Sequence, residues 1–269
     1  MPSKTMAVLF TLLRSANSAF YAGELELAHS ILLDALRLFK RLGNKKAVGI
    51  ANNNLGNVVF AMYNQMITNK QNRIGGLTRQ QIVKNGMGYY LTSIQLGEEL
   101  YDEFQDQQGW SPSCLEFTQH LANRYFNRGL FLLIAKNDHK NPSELEQLGR
   151  RDLQIARDMD EEVTSNGEEI GWESPDRAEK AFDAKISRAR GYTMLLKHGF
   201  EDEWNIQKVL DDAFQMIKTA RTREHSPLFL AMSIAGRMQV LETEFMKFRN
   251  FDRRSRNSCQ GCSPNDPRG

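Results

Sequence analysis

Cysteine is scarce in this sequence, which carries three in 269 residues. Cys114 lies within a predicted helix, whereas Cys259 and Cys262 lie close together in a segment rich in Ser, Asn, Pro and Gly. An odd and sparse set of cysteines provides no disulfide framework, so we expect a reducing compartment and a cytoplasmic protein. A single C-x-x-C pair also lacks the second pair of ligands that a zinc site needs. We therefore expect no metal site here.

Long apolar runs and a charge excess are lacking as well. No apolar run approaches the roughly 20 residues that span a bilayer, so we expect no membrane insertion. The formal net charge is +2, whereas a nucleic-acid-binding chain usually carries a concentrated basic excess. We therefore expect a protein or peptide partner rather than nucleic acid. The apolar residues in Met1–Phe20 recur at helical spacing, which predicts an amphipathic helix rather than a signal peptide.

Motifs that carry chemistry are missing too. The five histidines are scattered and form neither H-x3-H nor H-E-x2-H, and the chain has no Gly-rich nucleotide loop and no G-x-S-x-G. Asp158–Glu169 resembles a calcium loop, but Val163 stands where the sharp turn requires Gly. We expect a solvated connector there, with calcium binding as the alternative. The sequence predicts no enzyme, no catalytic residue and no cofactor.

Helix start and stop signals, by contrast, are frequent. Gly43 has the position of a helix stop. Three helix starts show capping-box spacing, in which a Ser or Thr is followed three positions later by Glu or Gln. These pairs are Thr78–Gln81, Ser113–Glu116 and Ser143–Glu146. Helical periodicity predicts nine helices and no convincing strand. The predicted helices cover about 4–21, 24–42, 45–66, 78–104, 111–135, 143–163, 175–198, 204–222 and 226–251. The predicted fold class is all-α, an α-solenoid of about four antiparallel pairs plus a C-terminal capping helix.

The stretch Ser15–Asn57 contains one helical hairpin and the start of a second. After the turn glycine Gly23, a small, a large and another small residue share one helical face; they are Ala28, Leu32 and Ala35. Ala16 precedes the turn, and the pair Leu55-Gly56 follows in the next helix. This pattern resembles a tetratricopeptide repeat (TPR). It is similar to the longer variant of roughly forty residues found in G-protein-signalling adaptors and kinesin light chains.

The resemblance implies a TPR-like repeat domain over 1–251. The segment 252–269 has no apolar periodicity, which predicts a flexible tail. Its units would cover about 4–42, 45–107, 113–163 and 175–222, with a terminal helix at 226–251. The pattern diverges after the second unit, because extra segments lie around 68–82 and 137–146 and the consensus Trp and closing Pro are absent.

The resemblance also implies a site, since the first helix of each TPR unit lines a concave groove that holds an extended peptide. The groove-facing residues would be Arg14, Asn17, Tyr21, Asn53, Asn54, Asn57, Phe60, His120, Asn123, Phe126 and Asn127. Asn is unfavourable inside helices, yet its amide can pair with a peptide backbone of any sequence. The alternative is that these amides bond neighbouring helices or face water. Arg124 and Arg128 are among the arginines that could meet a ligand carboxylate.

These expectations lead to a protein-interaction adaptor or scaffold in signalling that binds an extended peptide in its concave groove. One alternative is a structural subunit of a larger assembly that uses its convex face and insertions, suggested by Trp110, Trp172 and Trp204. Another is the repeat region of a longer signalling protein. The sequence leaves the oligomeric state open.

Overall fold

The structure, a computed structural model, describes residues 4–108 and 111–169 and a few positions between 187 and 199. The chain divides into two compact units, residues 1–184 and 185–269. The first unit contains nearly all of the described residues. The predicted fourth repeat unit, terminal helix and tail lie outside the described residues, apart from those few positions.

Six α-helices account for most of the described chain. They are α1 (Lys4–Tyr21), α2 (Leu25–Arg41), α3 (Lys45–Thr68), α4 (Arg79–Gln108), α5 (Pro112–Ala135) and α6 (Pro142–Glu169). A short 3-10 helix, Lys136–Asp138, follows α5. Each α-helix packs against the next one along the chain, and α3 also contacts α5. The described part is therefore all-α, as predicted. None of its helices has both the length and the apolar character needed to cross a membrane.

The boundaries of the first helices follow from local backbone chemistry. Gly43 ends the α2 segment with a φ of 65°, a conformation that costs glycine little. Asn44 then caps α3, since its side chain accepts a hydrogen bond of 3.0 Å from the Ala47 amide. At the start of α4, Thr78 and Gln81 bond each other's backbone amides reciprocally, at 3.3 and 2.9 Å. The helix stop and this capping box are confirmed.

The predicted opening of α5 at Ser111 and Pro112 is confirmed, but the capping box predicted at Ser113 and Glu116 is wrong. Ser111, not Ser113, accepts a hydrogen bond of 3.2 Å from the amide of Cys114. Pro112 explains the shift, because it fits the first helical position and holds the residue before it in an extended conformation. Ser143 likewise lies inside α6 rather than before it.

The Asp158–Glu169 segment was also predicted incorrectly, since α6 continues through it to Glu169. Asp160 and Val163 are buried there, with 3% and 0% exposure. Burial of this face stabilises the helix across Gly167, even though glycine disfavours helices. A continuous helix cannot supply the compact loop that the calcium alternative requires, so that alternative is wrong as well.

A small hairpin was missed in the segment between α3 and α4. Strands β1 (Arg73–Ile74) and β2 (Leu77–Thr78) pair antiparallel, with Arg73 opposite Thr78 and Ile74 opposite Leu77. The two-residue turn consists of Gly75 and Gly76, whose φ values are 54° and 77°. Positive φ at both turn positions is the type I′ geometry that two-residue hairpins prefer.

The core lies between successive helices and is formed where small residues allow close contact. The helical residues of the repeat pattern are buried, whereas the turn glycine Gly23 is exposed. The buried set is Ala16, Ala28, Leu32, Ala35, Leu55 and Gly56, and α5 and α6 bury Leu121, Ala122, Leu153 and Ala156 in the same way. Helices α5 and α6 approach most closely where Gly129 meets Gly149, because a β-carbon on Gly129 would lie 2.8 Å from the carbonyl oxygen of Gly149. Small residues therefore set the helix spacing, and larger neighbours fill the gaps.

Candidate functional site

Asparagine side chains connect the three odd-numbered helices α1, α3 and α5. Asn54 Nδ2 on α3 donates to Asn17 Oδ1 on α1, and Asn127 Nδ2 on α5 donates to Asn53 Oδ1 on α3, both at 3.4 Å. All four side chains are at least partly accessible to solvent. We call these four residues, Asn17, Asn53, Asn54 and Asn127, the amide row.

The hydrogen bonds within the amide row are long. Most N–H···O bonds have donor–acceptor distances near 2.9–3.0 Å, so contacts at 3.4 Å are weak. An asparagine amide offers two N–H donors and an oxygen with two lone pairs. Each member of the row therefore keeps hydrogen-bonding capacity that its neighbours do not use. The structure shows what the alternative stated from the sequence describes, because these amides bond neighbouring helices and are also accessible to water. Peptide binding by them stays a prediction.

Two other asparagines of α3 hold the fold together instead. Asn57 Oδ1 accepts a hydrogen bond of 2.9 Å from the hydroxyl of Tyr90, whose side chain is fully buried. Asn52 is buried and donates to the carbonyl of Val48 at 2.8 Å. The energetic cost of Asn57 in a helix is thus offset by a partner for a buried phenol. Burial raises the pKa of Tyr90 well above its usual value, so this hydroxyl remains a donor.

The remaining residues predicted for the groove differ in exposure. Arg14 and His120 are exposed, and Tyr21 is 84% exposed, with its ring edge-on to Phe20 at 5.5 Å. Phe60 is half-buried and lies edge-on to Phe131 at 5.5 Å, while Asn123 is partly exposed. Phe126 has 4% exposure, so it belongs to the core rather than to the accessible surface.

The accessible residues of α5 form a narrow stripe with helical spacing. After the first turn of the helix, which includes the accessible Pro112 and Ser113, they are Glu116, His120, Asn123, Asn127, Leu130 and Ile134. The amino half of this stripe is polar, with Glu116 Oε1 lying 3.9 Å from His120 Nε2. The carboxyl half is apolar, and Ile134 is 40% exposed. Phe60 on α3 and Tyr21 on α1 also belong to the carboxyl halves of their helices.

Two arginines considered as partners for a ligand carboxylate lie in the interior. Arg128 forms a bidentate pair with Asp152 on α6, at 2.6 and 2.7 Å. Burial alone would lower the pKa of Arg128, but the hydrogen bond and charge of Asp152 raise it overall. The Arg128 guanidinium also lies 5.6 Å from the ring centroid of Tyr125, whose hydroxyl donates to Glu98.

Arg124 is the second buried arginine, and it has no carboxylate partner among the described residues. It is 5% exposed and donates one hydrogen bond of 2.6 Å from Nη1 to the carbonyl of Ser93 on α4. β-Carbons on Gly49 and Gly97 would lie 3.0 and 2.8 Å from that nitrogen. The glycines therefore make the space for the guanidinium. Burial lowers the pKa of Arg124 to about 10, so it keeps its charge at neutral pH.

Comparison with known proteins identifies no family. No protein-family model and no curated protein matches the chain. A solved structure to which it is similar is the DHF58 filament, at 13% sequence identity and a TM-score of 0.45, over 82% of this chain and 97% of that one. This level of similarity identifies neither a relative nor a function. Within the described ranges, no group of three or more His, Cys, Asp or Glu side chains is arranged to hold a metal ion.

Proposed function

We propose that this chain is a protein-interaction adaptor of the TPR type, whose helix pairs continue as an α-solenoid. An extended peptide would lie across α1, α3 and α5, along the amide row. The observation that supports this proposal most directly is the pair of inter-helix contacts, Asn54–Asn17 and Asn127–Asn53, both at 3.4 Å. They bring amides from three helices together on one accessible surface.

The chemistry of the amide row suits a peptide backbone. An extended peptide presents an N–H and a C=O at every residue, and each needs a partner when water is displaced. Side-chain amides can serve as donor or acceptor without regard to the peptide sequence. Because the contacts within the row are long, a ligand could replace them at little cost.

The flanking residues indicate which side of a ligand would be apolar. Tyr21, Phe60 and Ile134 lie in the carboxyl halves of their helices and are partly or largely exposed. Lys46 is an exposed cation at the amino end of α3, and Arg14 is exposed seven residues before Tyr21 on α1. A fitting ligand that lies across the three helices would present acidic groups toward their amino ends and bulky apolar side chains toward their carboxyl ends, in a cytoplasmic signalling context.

Side-chain amide resonances provide the direct test. A twelve-residue peptide selected from a random display library against the wild-type chain would be titrated into ¹⁵N-labelled protein. The proposal expects shifts at the side-chain NH₂ groups of Asn17, Asn54 and Asn127. Binding that shifts only resonances of α2, α4 and α6 would refute it.

A second candidate is a structural subunit of a larger assembly. Leu38 on α2 and Leu91 on α4 favour it, because they are 37% and 46% exposed on even-numbered helices, away from the amide row. Size-exclusion chromatography with light scattering distinguishes the two candidates. A stable monomer that binds short peptides supports the adaptor, whereas a chain that stays soluble only with a large partner supports the subunit.

A further inference from the structure

A concave site that none of the amide-row residues lines lies at the amino end of α2. A cleft of about 690 Å³ opens between the amino end of α2 and the hairpin. The α2 side is formed by the segment 23–27, and Gln65 closes the cleft at the end of α3. On the hairpin side, its lining comes from Gln71, from β1 and from the two turn glycines, but not from β2. The cleft therefore follows the outer edge of β1.

The hairpin register determines which backbone groups point into this cleft. Ile74 and Leu77 flank the two-residue turn and face each other, so they form the pair that exchanges hydrogen bonds. Arg73 and Thr78 are the next pair, which in an antiparallel ladder is not hydrogen-bonded. The N–H and C=O of Arg73 thus point away from β2, toward the edge that lines the cleft.

Helix α2 holds the opposite wall in place. Glu26 Oε1 accepts a hydrogen bond of 2.8 Å from the Gly75 amide, which joins the turn to the first turn of α2. Leu27 on the same wall is 50% exposed. Glu24 makes no capping hydrogen bond to α2 and forms no ion pair with another described residue. The cleft thus combines an open strand edge, an apolar side chain and a carboxylate with no cationic partner.

We propose that this cleft binds an extended, basic peptide segment of a partner protein, which adds to β1 as a third strand. Main-chain hydrogen bonds to Arg73 would fix its register, as in other strand-addition modes. Side chains alternate along a strand, so apolar residues of the segment would meet Leu27 and Ile74. A lysine or arginine would meet Glu24, because the cleft wall carries Glu24 and Glu26 against the single cation of Arg73. This site is independent of the amide row.

The test uses a defined probe, the seven-residue peptide Val-Lys-Val-Lys-Val-Lys-Val. Titrated into ¹⁵N-labelled protein, it should shift the backbone amides of Leu27, Arg73 and Gly75. The same peptide with every backbone nitrogen methylated offers no N–H on either edge, so it cannot pair along a strand and should shift them far less. Absence of shifts up to about 1 mM peptide, or shifts confined to α1, α3 and α5, would overturn the proposal.

Two variants of one residue separate backbone pairing from side-chain contact. Arg73→Pro removes the N–H that points outward, whereas Arg73→Ala keeps it. The proline removes no hydrogen bond of the hairpin, because Arg73 and Thr78 do not exchange one, and proline is tolerated where a strand edge faces solvent. The proline variant should bind about fivefold more weakly than the alanine variant, because one net hydrogen bond is lost. Glu24→Gln should weaken the lysine peptide but not a version with serine in place of lysine. Equal affinity of the two Arg73 variants would contradict strand addition.

Discussion

Tyr90 lies against Gly56 with no room for even one additional carbon. A β-carbon on Gly56 would fall 2.5 Å from Cε1 of the Tyr90 ring. The ring is fully buried, and its hydroxyl bonds Asn57 in the next position of α3. This contact limits how closely α3 and α4 approach, and so it helps to position α3, one of the three helices that carry the amide row.

We predict that Gly56→Ala destabilises the protein by up to about 2 kcal/mol. The added methyl group would push the Tyr90 ring or separate the helices, and overpacking of this kind typically costs about 1–3 kcal/mol. The roughly 1 kcal/mol that alanine gains over glycine in a helix offsets part of this cost. Urea unfolding followed by circular dichroism measures the difference in free energy.

Gly88→Ala is the matched control in α4. A β-carbon there would have no heavy atom within 4 Å. With no clash, helix propensity alone should stabilise the protein by about 0.5–1 kcal/mol. If both variants were stabilised equally, the close packing of Tyr90 on Gly56 would be disproved.

The buried Arg128–Asp152 pair provides the second prediction. Asp152→Asn keeps the shape of the side chain but removes the charge that balances a buried guanidinium, so we expect a loss of about 3–5 kcal/mol. The control is Asp34→Asn, because the Arg37–Asp34 pair has a similar distance of 2.7 Å but is mostly exposed. That change should cost less than about 1 kcal/mol. Similar losses in both variants would show that burial does not determine the strength of the pair.

His29 should make stability dependent on pH. Its Nε2 is buried without a hydrogen-bond partner in the described structure, its ring lies edge-on to Tyr89 at 6.2 Å, and burial lowers its pKa. The unfolded chain therefore binds a proton at a higher pH than the folded chain does. The stability that the folded chain has with His29 neutral is therefore complete above the unfolded pKa of about 6.5, and it is lost as the pH falls below that value.

The measurement compares the free energy of unfolding at pH 7.5 and pH 5.5. Other groups titrate in this range, so the informative quantity is the difference between the wild type and His29→Gln. The variant should lose less stability on acidification. His120→Gln, at an exposed position of α5 where Nε2 lies 3.9 Å from Glu116, serves as the control. It should not reduce the loss of stability on acidification, because attraction between a protonated His120 and Glu116 favours the folded chain at low pH. An unchanged pH response in His29→Gln would contradict the assignment.

Helix positions could be predicted from the sequence because their signals are local. Gly43 and the Thr78–Gln81 pair act within one turn of backbone, and the structure confirms both. The hairpin also had a local signal, since two glycines separate Arg73–Ile74 from Leu77–Thr78. Its strands have only two residues each, too few for any alternation of polar and apolar residues to be visible.

The remaining features depend on contacts between residues far apart in sequence. The extension of α6 beyond Val163 rests on burial of that face, and local composition there is that of a connector. Arg124 is buried because Gly49 and Gly97, on two other helices, leave space for it. Asn57 fitted the same pattern as Asn54, yet its partner is a buried tyrosine 33 positions away. No periodicity in one helix reveals such partners.

The central claim concerns the amide row, and peptide affinity tests it most directly. The triple variant Asn17→Ala, Asn54→Ala, Asn127→Ala removes one amide from each of α1, α3 and α5 and spares Asn57, which supports Tyr90. Ser30→Ala, Gln95→Ala, Gln147→Ala is the matched control, with one exposed polar residue changed on each of α2, α4 and α6.

Fluorescence anisotropy with the display-selected peptide gives the dissociation constant of each folded variant. We expect the amide-row variant to bind at least about tenfold more weakly, because three hydrogen-bonding side chains are lost, and the control to stay within about twofold of the wild type. An amide-row variant that binds as tightly as the wild type would contradict the account.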